Sequence, residues 1–232
     1  MITFRDRGAR GRHSGAEVDA RHSFSFGDYI DPKNMAFRAL RVLNEDCIIP
    51  GGGFAEHAHQ DMEIITLVLD GTVLHRDDLG NETRIRAGEV QRMSAGTGVR
   101  HSERNPSADS RTHILQIWIH PSKAGLAPSY EQRSFDPRGR HNRFCVLISE
   151  DGREGSLSIH QDVILELACL DEGTSLTRSL DPQRGYWVQV ISGIIGLNGT
   201  ELRMGDGAAL TQEHILALEA DTDCEVLLID LP

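Results

Sequence analysis

Short β-branched runs closed by turn residues recur along this chain, while helical periodicity is scarce, so an all-β sandwich or barrel is the architecture this pattern allows. Strands are expected at 39–43, 63–69, 72–76, 112–119, 144–148, 163–170, 186–191 and 224–229. Asp70-Gly71 separates the second and third of these and reads as a hairpin turn, and Asn198-Gly199 reads as a type I′ turn rather than a glycosylation site. Residues 121–142 are polar and carry three prolines, which suits a connector better than a buried strand. A division into 1–130 and 131–232 follows.

An internal repeat supports that division. Val68-Leu69-Asp70-Gly71 is answered by Val190-Ile191-Ser192-Gly193, and Ile85-Arg86-Ala87-Gly88-Glu89 by Leu202-Arg203-Met204-Gly205-Asp206 at nearly the same offset. Two matches in order, each in a strand-turn context, indicate a duplicated β unit.

The halves differ in chemistry. His57-Ala58-His59 places two imidazoles at i and i+2, on one face of a strand and about 7 Å apart at the backbone. His101-Ser102-Glu103 repeats the spacing, and a neighbouring strand of one small barrel brings both pairs to one ion. The expected ligands are therefore His57, His59, His101 and Glu103. Glycines precede both pairs, at Gly51-Gly52-Gly53 and Gly96-Thr97-Gly98, where unusual dihedrals are needed. Glu63 shares the parity of His57 and His59 on an unbulged strand, so it stands as an alternative ligand or a base beside the ion. His75, His113, His120, His141 and His160 lack a partner at ligand spacing and are read as surface or core histidines.

Three imidazoles and a carboxylate leave one or two positions open on an iron, nickel, manganese, copper or zinc ion, as catalysis requires. Phe54, Met62, Met93 and Trp118 lie near the motifs and are candidate walls for a flat substrate, with core packing the commoner role. A net charge of −11 opposes phosphate-backbone binding, so direct nucleic-acid recognition is not expected. No apolar run reaches membrane-spanning length and residues 1–12 lack a secretory pattern, which predicts a cytoplasmic, non-membrane protein. Cys47, Cys145, Cys169 and Cys224 form no CxxC pair and are assigned to packing.

The stretch GGGFAEHAHQDMEIITLVLDG followed by AGEVQRMSAGTGVRHSERN resembles the two metal motifs of the cupin superfamily, in the form found in pirins and pirin-like bicupins. The spacing from Glu63 to Gly71 is a residue longer than the common cupin motif, and extra residues stand between Gly96 and His101. Both departures are typical of the pirin branch and favour Glu103 over Glu63 as the carboxylate. The resemblance covers nearly the whole chain and is strongest to bacterial quercetin 2,3-dioxygenase-like proteins. It implies two stacked cupin barrels with one divalent ion, first of all Fe2+, in the first barrel. The second barrel has no histidine in Leu180 to Tyr186, where its HxH is expected, and only an isolated His214 near the second position. The resemblance further implies a flavonol substrate that is opened with dioxygen and loses carbon monoxide, with Glu103 as the base, Glu63 in reserve, and a monomeric protein. Eukaryotic pirins, similar in the same motifs, are iron-containing transcription cofactors, which leaves a regulatory role or another small-molecule reaction as the alternative.

Overall fold

The computed structural model describes all residues 1–232, which build two compact units of antiparallel strands with three short 3-10 segments and no α-helix. The first unit comprises residues 11–135 and 157–161, and the second residues 1–10, 136–156 and 162–232. The contiguous division at 130 is thus amended at both ends. Ile2–Arg5 pairs with the strand Gly207–Thr211 and supplies the edge of the second unit's larger sheet. The corresponding edge of the first unit is Ser129–Ser134, paired with Glu89–Ser94, inside the segment expected to be a connector. Pro128 immediately precedes that strand, and none of its residues is buried, as suits an edge.

In the first unit the larger sheet runs Ser129–Ser134, Glu89–Ser94, Glu63–Asp70, Thr112–Ile119, Leu40–Ile48, Val18–His22, Gly11–Ser14. The smaller runs Gly53–His59, Val99–Arg104, Thr72–Asp77, Glu82–Arg86. The hairpin expected between 63–69 and 72–76 does not form. Gly71, at φ 80°, turns the chain from one sheet into the other, and Thr72–Asp77 pairs with Glu82–Arg86 and Val99–Arg104 instead. Such corners are what let two sheets enclose one interior.

The second unit repeats this order. Its larger sheet contains Gly207–Thr211, Gly185–Ser192, Cys224–Leu231, Ile164–Leu170 and Cys145–Ser149, and its smaller sheet runs Ser175–Ser179, Ile215–Ala220, Ile194–Leu197, Thr200–Arg203. The repeated sequence matches fall on equivalent corners. Gly88 N–H donates to Val68 O and Gly205 N–H to Val190 O, while Gly71 and Gly193 both have positive φ. Asn198 and Gly199, at φ 46° and 82°, form the turn expected of them. This is the two-barrel cupin architecture. No helix is long and apolar enough to cross a membrane.

The first barrel's interior is layered along its strands. One end is apolar, with Val18, Ala20, Ile48, Val68, Val73, Ile85 and Ile114. The other gathers Ile64, Met93, Ala95 and Val99, with Met62, Trp118 and Tyr130 against them. Asn44, Asp46, Thr66, His75, His101, Glu103 and Gln116 are also buried in this unit. Polar side chains buried at this density require partners.

Candidate metal centre

Gly53–His59 pairs with Val99–Arg104, setting His57 opposite His101 and His59 opposite Val99. One step on, Phe54 faces Glu103, so the first strand carries an extra residue and bulges between Phe54 and His57. A bulge re-aims side chains without leaving the sheet. Gly53 makes the close approach possible: at φ 150° it is glycine's conformation, and a Cβ there would stand 2.2 Å from the Glu103 carbonyl oxygen.

The three imidazoles converge. Ring centroids lie 4.7 Å apart for His57 and His59, 4.6 Å for His57 and His101, and 4.9 Å for His59 and His101. His57 Nε2 and His101 Nε2 are 3.2 Å apart. His57 Nδ1 lies 2.7 Å from the Ala55 carbonyl, which can only accept, so Nδ1 carries the proton and Nε2 offers its lone pair inward. His59 Nε2 is buried without a hydrogen-bond partner. Burial, then the charge of His57, lowers the His59 pKa to about 4. Burial, followed by the neighbouring histidines, holds His101 lower still. Both rings are neutral at physiological pH, the state in which imidazole binds a cation. An unpartnered buried nitrogen beside two converging lone pairs fits a metal ion.

Glu103 is fully buried, accepts a 3.0 Å hydrogen bond from Thr66 Oγ1 and another from Gln116 Nε2, and has its pKa raised chiefly by burial. It does not close into one cluster with all three histidines. Ligand atoms of His57, His59 and His101 lie within 4.8 Å of one another, and a second such group joins His75, His101 and Glu103. His101 belongs to both.

Glu63 stands in neither group. The parity expected to aim it at the ion assumed an unbroken strand, whereas Asp61 has φ 47° and Gly53–His59 ends before Glu63–Asp70 begins. Its carboxylate instead accepts from Ser94 Oγ at 2.7 Å and meets His160 Nδ1 at 3.0 Å. His160 therefore has a partner that its spacing in the sequence did not reveal. His75, read as unremarkable, lies in the wall of the centre. The signal was its parity with the apolar Val73 on the same strand, and both are fully buried.

Of the four candidate wall residues, Trp118 sets its ring edge-on to His59 at 4.8 Å, and Met93 is wholly in the core. Met62 packs against that core cluster, while Phe54 lines a cleft of about 660 Å³. Phe26, Tyr29, Val18, Ala20, Asn44, Asp46 and Gln116 share the cleft's lining. Two side chains join it to the centre: Gln116 bonds Glu103, and Phe26 lies 5.3 Å from Trp118. Of the cysteines, all free, Cys224 is buried and the other three are half-buried.

Two barrels of cupin topology, with candidate ligands in the first, define a bicupin. Residues 3–119 match the family described as Pirin, and residues 146–231 match the quercetinase C-terminal cupin domain. The chain belongs to the pirin family. It is 46% identical over 233 residues to a quercetin 2,3-dioxygenase of Escherichia coli strain K12, covering 100% of this chain and 99% of that protein. A pirin-like protein of Caulobacter vibrioides is 41% identical over 92% of each chain. The crystal structure of the E. coli bacterial pirin YhhW in complex with nickel(II) superposes with a TM-score of 0.96 at 45% identity, covering 100% and 99% of the chains.

Proposed function

We propose that this protein is a metal-dependent dioxygenase that binds one divalent transition ion through His57, His59 and His101, with Glu103 as the carboxylate, and opens the heterocyclic ring of a flavonol. The observation that carries this reading is the convergence of three imidazoles beside an aromatic-lined cleft joined to the centre through Gln116 and Glu103. This ligand chemistry accepts most first-row divalent ions; the resemblance to pirins points first to Fe2+, and Ni2+ is the ion in the structure of the E. coli relative.

A bound ion supplies Lewis acidity that lowers the pKa of a coordinating hydroxyl and an open position where dioxygen and substrate meet. The chain's own residues do the rest. Phe26, Tyr29 and Phe54 offer apolar faces to a flat ring system. Glu103, made more basic by burial, takes the proton of the flavonol 3-hydroxyl, and Thr66 and Gln116 hold its two oxygens in place. Trp118 and Met62 pack around the end of the barrel that gathers Ile64, Met93, Ala95 and Val99, and limit water there. In the overall reaction one dioxygen is consumed, both its atoms enter products, and the carbon between the ring ketone and the ring oxygen-bearing carbon leaves as carbon monoxide.

The test is direct. Metal-replete protein should bleach the long-wavelength flavonol absorbance under oxygen and release carbon monoxide, whereas His59→Ala should do neither. Absence of carbon monoxide with each of Fe2+, Ni2+, Mn2+, Cu2+ and Zn2+ would move the assignment to a regulatory, non-enzymatic pirin.

A further inference from the structure

We infer that the centre contains a second, inner coordination set made by His75, His101 and Glu103, so that His101 is shared between two overlapping positions for one cation. The inference rests on the reading that the first barrel binds a divalent ion, and adds to it where that ion can go and which further residue holds it.

His75 has the marks of a ligand. Metal-binding histidines typically donate one ring N–H to a carboxylate or a carbonyl, which fixes the tautomer and turns the other nitrogen's lone pair toward the ion. His57 does this with the Ala55 carbonyl. His75 does it with Asp77, its Nε2 lying 3.0 Å from Oδ2, and both side chains are fully buried. Asp77 is itself held by the backbone N–H groups of Leu79 and Asn81 and by Asn81 Nδ2, so it is an anchored acceptor. The remaining nitrogen of His75, Nδ1, is buried and has no hydrogen-bond partner. Leaving such an atom unpaired is unfavourable unless something occupies the space it faces.

Register explains why the three residues meet. Thr72–Asp77 pairs with Val99–Arg104 so that His75 is opposite Glu103 and Asp77 opposite His101. Ligand atoms of His75, His101 and Glu103 all fall within 4.8 Å of one another, the same closeness shown by His57, His59 and His101. Two nitrogens and a carboxylate oxygen form a complete three-residue donor set of the kind that leaves the other positions open. In the outer set His57 and His59 are half-buried on the sheet's edge strand and His101 alone is buried, whereas all three residues of the inner set are buried. An ion at the outer set is accessible to exchange, and one at the inner set is sequestered.

Removing the outer pair while keeping the inner set tests this. In His57→Ala/His59→Ala, titration with Ni2+ followed by calorimetry should still give one saturable equivalent, bound more weakly than by the native chain. Adding His75→Ala to that background should abolish it. Cu2+ bound to the double variant should show two-nitrogen superhyperfine structure in electron paramagnetic resonance. His57 and His59 are only half-buried, so these changes spare the core, and a His57→Gln/His59→Gln pair with circular dichroism repeats the test with near-isosteric side chains. No saturable Ni2+ in either double variant, or identical binding with and without His75, would overturn the inner set. Failure of the native chain itself to bind Ni2+ would instead strike the metal reading.

Discussion

The two barrels share a strand order but differ in what their interiors contain. Where the first carries Gly53–His59 beside Val99–Arg104, the second carries Ser175–Ser179 beside Ile215–Ala220, and at those positions it holds Leu176, Leu216, Leu218 and Ala220. Its interior holds a large apolar cluster, from Ala168 and Leu170 to Val226 and Leu228, and its buried acid, Glu166, is paired with Arg178 rather than with histidines. The first barrel gives up that continuity for Asn44, Asp46, Thr66, His75, His101, Glu103 and Gln116. One topology therefore supports a dry core or a polar centre, and the choice lies in a few inward positions on two paired strands. Position also needed correction: the strand equivalent to the HxH segment is Ser175–Ser179, just before the stretch from Leu180 to Tyr186. His214 is exposed and lies one residue ahead of its strand.

If that contrast is chemical, His101→Ala should produce the largest effect. It removes the residue common to both coordination sets, and stoichiometric metal, measured by elemental analysis after gel filtration, should be lost while circular dichroism stays unchanged. A full equivalent retained by this variant would break the comparison. A change in the second barrel should show the converse. Leu218→Ala opens a cavity in the second barrel's apolar cluster and should cost about 2–5 kcal/mol in denaturant unfolding. Metal stoichiometry at low denaturant should not change. Between these lies Gln116→Leu, which deprives Glu103 of a donor on the cleft side, and flavonol turnover should fall by about 10- to 100-fold with the metal still bound.

Much of this organisation was legible in the residues. Val/Ile/Leu runs at 63–69, 112–119, 163–170 and 186–191 are strands in the structure because the central strands of the larger sheets are buried on both faces. His57, His59 and His101 meet because i, i+2 spacing survives on any strand. The rest depended on register and on broken strands, which spacing does not report. The bulge between Phe54 and His57 decides that Glu103 faces Phe54, and the positive φ of Asp61 sends Glu63 to Ser94 and His160. Asp70-Gly71 looked like a hairpin because turn residues announce a reversal without saying which sheet the chain enters. Ile2–Arg5 completes the second unit by a pairing some 200 residues distant, for which no local pattern exists.

The smallest expected effect concerns Asp46, a buried acid of the first barrel's polar layer. Its carboxyl is 2% exposed, and burial, reinforced by the negative charges of Glu103 and Glu45, raises its pKa from 3.8 to about 8. An acid whose pKa is higher in the folded chain than in the unfolded one binds its proton more tightly when folded. The stability it contributes is complete below about pH 4 and is lost as pH rises through about 8. Asp46→Asn keeps the shape and removes the titration, so in metal-free protein its gain should be near zero at pH 4 and grow toward pH 8. We expect a gain on the order of 1 kcal/mol at pH 8, or roughly 2–4 °C in Tm for a chain of this size, since the cleft gives the carboxyl some access to water. Equal melting curves for the two proteins at pH 5 and pH 8 would show that the polar layer carries no such penalty, and that the barrels differ in side-chain shape more than in electrostatics.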